Sequence, residues 1–481
     1  MNIIKKTKQK AKKINLNTLK KAGIERDLKK YYILGNYPPL ICLNDGLNNK
    51  LDIFKPSKNI DTQKELEVYL HFPFCEKKCK FCHFYSVCNN EQEISRYLKN
   101  LKKEIDITTR IIGKIKAKSV YIGGGTPSLM TPQQITDIIE FLKTKISIEK
   151  STLFTFDINP NLNQDKLKKE KISAMLEAGV NRIVLGGVDL DDNVLARQGR
   201  VHSKKDEIEI IDYLKSLKNK PQVAADMMVG VPGQALESWN KTLETLIAKQ
   251  VDCVMVFPHM FKATQANWYE YRKDPKSFPS VMDRIELYLL TMDKFKKAGY
   301  IHTPLHYFNR GKEFFNEQQI RKFESLDETE LLAFGVSSFG FINGYEYFNI
   351  PTLKEYNECI EKNELPTWKA LKLTKKMLLE RDIMFRLFSR GVNKKFIQSK
   401  YNVNIDIKYK NIISKLVVAG LLKSNKTKLE LTETGRLFAE EICDKFAGKE
   451  VKNIANKRVK DISPLDPIQR YNYNMIGHRL E

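Results

Sequence analysis

The chain has 481 residues, 42% hydrophobic and 10% aromatic, enough to bury a large core and to carry one catalytic domain with smaller modules beside it. No apolar run reaches the length of a membrane span, and the start, MNIIKKTKQKAKKINLNTLKK, lacks the uninterrupted apolar stretch of a signal peptide, so a cytoplasmic location is expected. Lys and Arg number 82 against 58 Asp and Glu, a net +24, but the excess is mostly Lys spread over the whole length, which argues against a focused nucleic-acid surface.

Residues 1–60 read as a basic N-terminal extension whose Lys5–Lys13 run is a candidate anionic contact. From about Val68 to Tyr300 strand-like and helix-like segments alternate, inside a domain placed at 61–300. EVYLHF is followed by EISRYLKNLKKEIDI, and SVYIGG by TPQQITDIIEFLKTKI. In the latter, Thr131 is an N-cap, Pro132 suits the first helical position, Gln134 completes a capping box, and Ile135, Ile138, Ile139 and Leu142 share one face. STLFTFDI, NRIVLGG, QVAADMMVG and VDCVMVFP each precede a helical pattern in the same way. Six strand–helix units in series predict an α/β fold with a parallel sheet wrapped by helices, its ligands at the C-terminal strand ends.

Residues 301–370 read as an irregular, aromatic-rich substrate-side or connecting region. From Thr374 short helices, a hairpin at LLKSNKTKLELT and a further helix from Glu433 resemble a winged helix, spanning 371–446. That module is often used on DNA, yet Lys394, Lys395 and Lys400 on its second helix sit in a chain where Lys is everywhere, so nucleic acid is not the expected partner and a lid or brace is. The polar tail, 447–481, has little periodicity and is expected to be partly unstructured.

Five of the eight cysteines, Cys42, Cys88, Cys253, Cys359 and Cys443, are scattered and make no disulfide framework. The other three crowd one loop after the first strand, in YLHFPFCEKKCKFCHFYS: Cys75, Cys79 and Cys82. Cys–x3–Cys–x2–Cys is one thiolate short of a closed zinc site or an ordinary iron–sulfur cluster. A zinc knuckle completed by Cys88, His71 or His83 is one reading. A 4Fe–4S cluster with one iron left open as a reaction centre is the other.

The loop is similar to the radical S-adenosylmethionine (SAM) signature, and the chain resembles the oxygen-independent coproporphyrinogen III oxidase-like family of that superfamily. GGGTPS at 123–128, INP at 158–160, GRVHS at 199–203, DMMVGVPGQALESW at 226–239 and ELLAFGVSSFG at 330–340 carry the resemblance in the same order, over roughly residues 30 to 445. It implies a partial (β/α)6 barrel of parallel strands with a C-terminal winged-helix-like α+β domain. It implies a 4Fe–4S cluster held by Cys75, Cys79 and Cys82, and one or two molecules of SAM cleaved to methionine and a 5′-deoxyadenosyl radical. By the same resemblance Phe81 packs on adenine, and Gly124, Gly125 and Thr126 receive the methionine end. Arg200 and Asp226 contact SAM polar groups, Tyr69 lies near the sulfonium, and Asp157 joins it as a catalytic residue.

Three departures bear on substrate. Asp157 stands where coproporphyrinogen oxidases carry Glu, Val188 where the family has Gln, and Phe84 where the oxidases have an extra cysteine. Phe323 and Phe339 are placed where a second SAM or a flat substrate would stack, and GNYPPL at 35–40 resembles the extension of catalytic members. The expected function is a radical SAM oxidoreductase on a tetrapyrrole-like small molecule, fed by a low-potential electron donor such as flavodoxin or ferredoxin. A two-SAM methyltransferase, a haem-binding chaperone and an oxygen-sensing DNA binder are the alternatives.

Overall fold

The computed structural model describes residues 3–25, 37–45, 49–55, 64–88, 90–261, 265–314 and 330–460. Strands β1 (Lys64–Phe72), β2 (Ile115–Gly124), β3 (Leu153–Ile158), β4 (Arg182–Val188), β5 (Gln222–Val229) and β6 (Cys253–Pro258) pair in chain order and all run parallel. Each parallel step needs a crossover, supplied by helices α1 (Glu91–Ile112), α2 (Pro132–Lys145), α3 (Lys168–Glu177), α4 (Lys204–Ser216), α5 (Leu236–Ala248) and, after β6, α6 (Val281–Lys297). Thr131 and Gln134 cap α2 reciprocally, and Ile135, Ile138, Ile139 and Leu142 are buried, as the spacing predicts.

Strand register sorts side chains onto two faces. Val68, Val120, Phe154, Ile183, Ala225 and Val254 join the core beneath the helices. Tyr69, Tyr121, Asp157, Val184 and Ala224 alternate with them and share the inner face, where Ala224 and Val184 pack with Cys253, Met255 and Tyr307.

The stretch after residue 300, expected to be irregular, instead adds six strands at the two edges of the sheet, which with Asn44–Asp45 at its far edge reaches 13 strands among the described residues. β7 (Ile301–His302) and β8 (Tyr307–Asn309) add antiparallel to β6. β9 (Leu331–Phe334) joins β1 in parallel, and β10 (Phe339–Ile342), β11 (Tyr345–Asn349) and β12 (Thr367–Lys372) continue outward antiparallel. These strands are short and aromatic on both faces, so no clean alternation marks them; what makes them strands is the open edge of the parallel sheet, whose backbone groups they pair.

Helix α7 (Leu353–Glu361) packs on α1, where Asn100 Nδ2 donates to Asn357 Oδ1 at 2.9 Å, and α8 (Lys375–Phe388) leads into the C-terminal domain. That domain carries a three-stranded sheet of β13 (Val392–Asn393), β14 (Leu422–Ser424) and β15 (Lys428–Leu431) with helices α9 (Lys394–Tyr401) and α10 (Lys410–Val418). On α9, Lys394 pairs with Asp406 at 2.7 Å and Lys400 with Asp382 at 2.7 Å, so these two charges are compensated within the domain. The tail is not featureless: Lys449–Lys460 is helical, buries Val451 and Ala455, and packs on the Leu40–Cys42 turn. The N-terminal helix Ile3–Lys12 lies on α6, with Thr7 and Ala11 buried and Lys10 bridging to Asp293 at 2.7 Å.

Candidate active site

The cysteine loop leaves β1 through Pro73, and Phe74–Cys75 pairs with Val87–Cys88, closing the loop on itself. Three neighbours and one internal turn pin its backbone. The Lys80 N–H donates to Gln198 O at 3.0 Å, and Lys80 O accepts from the Asn267 N–H at 3.1 Å. Gln265 Nε2 donates to Phe81 O at 2.5 Å, and the Cys82 N–H to Cys79 O at 3.1 Å. Gln198 and Asn267, both fully buried, are joined at 2.8 Å. Sequence reasoning missed this brace, since a buried amide pair from distant segments leaves no local signal.

The three thiols are partly exposed, and none is in a disulfide. Burial pushes the Cys82 thiol up to about 11 and raises Cys75. Arg200 reaches the third thiol as a donor, its Nη1 lying 3.1 Å from Cys79 Sγ while Nη2 donates to Gly186 O. A single metal ion needs ligands converging on one point, and among the described residues no three His, Cys, Asp or Glu side chains do so. A cluster spreads its thiolate bonds over separate irons and has no such requirement.

The glycine run at the end of β2 lies against this loop. The Gly125 N–H donates to Phe72 O at 2.6 Å and the Thr126 N–H to Phe74 O at 2.8 Å. A Cβ at Gly125 would sit 2.5 Å from Phe74 O, and one at Gly124, whose φ is +115°, 2.6 Å from the His71 ring. Sequence reasoning expected these glycines to clear room for a ligand; the structure shows that close packing against β1 and the cysteine loop already requires them.

Below this corner the inner face is polar. Tyr69 Oη and His71 Nδ1 are 3.0 Å apart, with burial lowering His71 to about 4 and keeping the imidazole neutral. Tyr121 Oη donates to Asp157 Oδ1 at 2.6 Å. Burial, reinforced by Asp226, pushes Asp157 well above the carboxylate range; burial pushes Asp226 up to about 7, against the pull of Arg182. Behind Arg200, His202 Nδ1 meets Arg200 Nη2 at 3.3 Å and Asn159 Oδ1 at 3.2 Å, while His202 Nε2 is 3.5 Å from Glu207. Burial drives Glu207 up to about 8 and His202 down to about 3, leaving a neutral imidazole beside a protonated carboxyl.

The structure thus gathers Cys75, Cys79, Cys82, Phe81, Gly124, Gly125, Thr126 and Arg200 at one corner, with Tyr69, Asp157 and Asp226 on the inner face below. Val188 ends β4 at φ +81°, buried, after a bulge in the β4–β5 register. Phe339 packs with the small cluster of Leu40, Leu43 and Phe348 beside Trp368. Phe323 lies outside the described residues, as do positions 35 and 36 of the 35–40 segment; Tyr37 is buried and donates to Glu380 at 2.6 Å. Arg182, Tyr121 and Glu207 are polar neighbours that motif reading did not single out.

These residues fit a cluster with an adenosyl ligand: reachable thiols, glycine backbone at a strand end, and shielded polar atoms, Arg200 Nε and Asp226 Oδ1, with no hydrogen-bond partner. The family model of the radical SAM superfamily matches residues 69–246. Heme chaperone HemW of Bacillus subtilis (strain 168) is 25% identical over 382 residues, 79% of this chain and 99% of that protein. Oxygen-independent coproporphyrinogen III oxidase of Synechocystis sp. is 24% identical over 434 residues, 85% of this chain and 91% of that protein. The structure of coproporphyrinogen III oxidase (HemN) from Escherichia coli, a radical SAM enzyme, superposes with a TM-score of 0.76 at 20% identity, covering 88% of this chain and 99% of that one, a likeness of fold.

Proposed function

We propose that this chain, which belongs to the radical SAM superfamily in its oxygen-independent coproporphyrinogen III oxidase-like group, is an oxidoreductase that uses a 4Fe–4S cluster and SAM on a tetrapyrrole-like small molecule. One observation carries this reading: three unpaired thiols in a pinned loop, with Arg200 donating to one of them, beside the glycine edge of a parallel sheet. When bound, the cluster and SAM supply one-electron cleavage of a carbon–sulfur bond and hydrogen abstraction.

The chain's own residues do the rest. Cys75, Cys79 and Cys82 hold iron, and the Arg200 guanidinium compensates thiolate charge at Cys79. The backbone at Gly124 and Gly125, with Thr126, receives the methionine end, Phe81 the adenine, and Arg200 and Asp226 the remaining polar groups. Tyr69 is held neutral by burial and presents an aromatic face to a sulfonium. Asp157, whose carboxyl is pushed well above the usual carboxylate range by burial and by Asp226, is the inner face's acid, oriented by the Tyr121 hydroxyl. Tyr121, Phe257 and Tyr307 line that face with aromatic surface and limit water.

The substrate class rests on the relatives, whose names, heme and coproporphyrinogen, both denote tetrapyrroles. Val188, Asp157 and Phe84, the last 51% exposed and packed on His83 at 4.2 Å, set this chain apart from the decarboxylating oxidases. A second reading, haem binding and delivery, is favoured by the HemW relatives, one of which aligns over 99% of its length.

The deciding experiment is anaerobic reconstitution, then SAM with dithionite, or with flavodoxin or ferredoxin as donor. 5′-Deoxyadenosine without S-adenosylhomocysteine supports the oxidoreductase. Both products together with substrate mean methyl transfer. Stoichiometric haem binding without either product means a carrier.

A further inference from the structure

Nine large apolar or aromatic side chains stay exposed among the described residues, and the two aromatic ones, Phe84 at 51% and Tyr269 at 50%, both flank the cysteine loop. Phe84 lies just after Cys82 in the chain. Tyr269 is on the helix Ala266–Lys273, whose Asn267 N–H donates to Lys80 O and whose Glu270 pairs with Lys80 Nζ at 2.6 Å. Val201, another of the nine, directly follows Arg200, the residue that reaches Cys79.

Basic side chains surround these groups. Lys77, Lys78 and Lys80 flank Cys79, and the first two are exposed. Lys77 Cε lies over Gly199, 3.8 Å from where a Cβ would stand, and Lys78 Nζ donates to Phe84 O at 3.0 Å, a carbonyl that leaves its charge uncompensated. Tyr269, Arg272 and Lys273, at i, i+3 and i+4, share an exposed side of their helix. The acids of the same segments are engaged. Glu76 accepts from Asn161 Nδ2 at 2.8 Å, Glu270 takes Lys80, and Asp274 accepts from the Lys276 N–H at 3.2 Å. Exposed aromatic surface among charges of one sign is the make-up of an interface with an oppositely charged protein. The three partly exposed thiols belong to this same loop.

We propose that this face is the docking site of an acidic one-electron carrier protein. The inference rests on the cluster reading above and names the surface through which that site is reduced. One electron leaves the reduced carrier and enters the cluster held by Cys75, Cys79 and Cys82; the carrier is oxidised by one electron, and no bond or proton moves. Electron transfer falls steeply with distance, and electron-transfer contacts between proteins are small, so a face built on the cluster's own loop suits both. Lys77 and Lys78 steer the carrier, and Phe84 and Tyr269 supply the apolar contact.

The test uses reduced flavodoxin as the carrier and the full chain. Stopped-flow absorbance follows reduction of the reconstituted protein, and calorimetry at low ionic strength reads flavodoxin binding to cluster-free protein. Lys77→Glu/Lys78→Glu slows flavodoxin-driven reduction about tenfold and weakens binding by a similar factor, while dithionite reduces its cluster to the same extent as the native one. Added salt slows the native reaction and leaves that of the variant nearly unchanged. Phe84→Ser weakens binding at every salt concentration. Lys5→Glu/Lys6→Glu, the same change of charge at exposed positions of the N-terminal helix, keeps the native rate. Equal losses in the two charge variants mean a general effect of net charge and overturn the proposal, as does an unchanged rate in Lys77→Glu/Lys78→Glu. If that variant takes up no iron, its binding in the cluster-free form and the reduction rate of Arg272→Glu/Lys273→Glu decide by the same criteria. Self-association of the native chain that Phe84→Ser abolishes assigns the face to a second copy and also overturns it. A native chain that dithionite reduces normally, with flavodoxin indifferent to every variant, sinks the docking site alone; a native chain that forms no reducible cluster sinks the cluster reading and the docking site together.

Discussion

Glu207 on α4 occupies the space that any side chain at Gly187 on β4 would need: a Cβ there would collide with both carboxylate oxygens. Glu207 is fully buried, and its nearest charged-type partner is His202, itself bonded to Arg200. The glycine thus seats a carboxyl group behind the residue that touches Cys79.

Gly187→Ala is therefore expected to destabilise the fold by about 1–3 kcal/mol through overpacking. Combining it with Glu207→Ala relieves most of that loss, so denaturant titrations of the four chains of a double-mutant cycle will show strong coupling. Simple additivity would show that the two side chains do not compete for this space.

Arg200 holds Cys79 with one arm and Gly186 O with the other, a fork that no other side chain reproduces. Losing a charged donor to a ligating thiolate stabilises the oxidised cluster. Arg200→Gln should move the midpoint potential of reconstituted protein negative by about 60 mV, a tenfold change for one electron. Anaerobic redox titration followed by electron paramagnetic resonance measures it, and a positive shift would contradict the contact.

Cys88 faces Cys75 across the short pairing that closes the loop, and it is exposed. If Cys75, Cys79 and Cys82 alone carry the cluster, each Ala variant loses the bound iron and the visible absorbance, and Cys88→Ala keeps both. Iron lost equally from Cys88→Ala would place a fourth thiolate in the site.

Glu104 on α1 is buried and accepts from the Gly335 N–H and Asn349 Nδ2, each at 2.8 Å, and from the Tyr356 hydroxyl at 2.5 Å. Burial outweighs these bonds and lifts it from 4.5 to about 7. A carboxyl raised in the folded state binds its proton more tightly there than in the unfolded chain. Its contribution to stability is thus greatest below pH 4.5 and declines as pH rises to about 7, by roughly 3 kcal/mol across the window. Chemical denaturation at stepped pH should show this decline in the native chain and a flatter profile in Glu104→Gln. An equally steep profile in the variant would assign the slope to other groups.

What the sequence determined by itself was everything whose cause is local. Cysteine spacing marks a candidate metal or cluster loop because three thiols within eight positions share one loop in any fold. The capping box at Thr131 and Gln134 and the apolar face of α2 follow from helix geometry, and six alternations of strand and helix leave few topologies besides a parallel sheet. The tertiary structure decided what depends on meeting at a distance. Short aromatic segments after residue 300 became strands only because the sheet offered open edges, and the tail became a helix because the Leu40–Cys42 turn covers Val451. The Gln198–Asn267 brace joins residues 69 positions apart, and the Gly187 seat for Glu207 joins a strand to the helix that follows it. Their types are ordinary in sequence. Burial, which removes water as a partner, is what forces each charge and amide to find another, and burial is a property of the assembled fold.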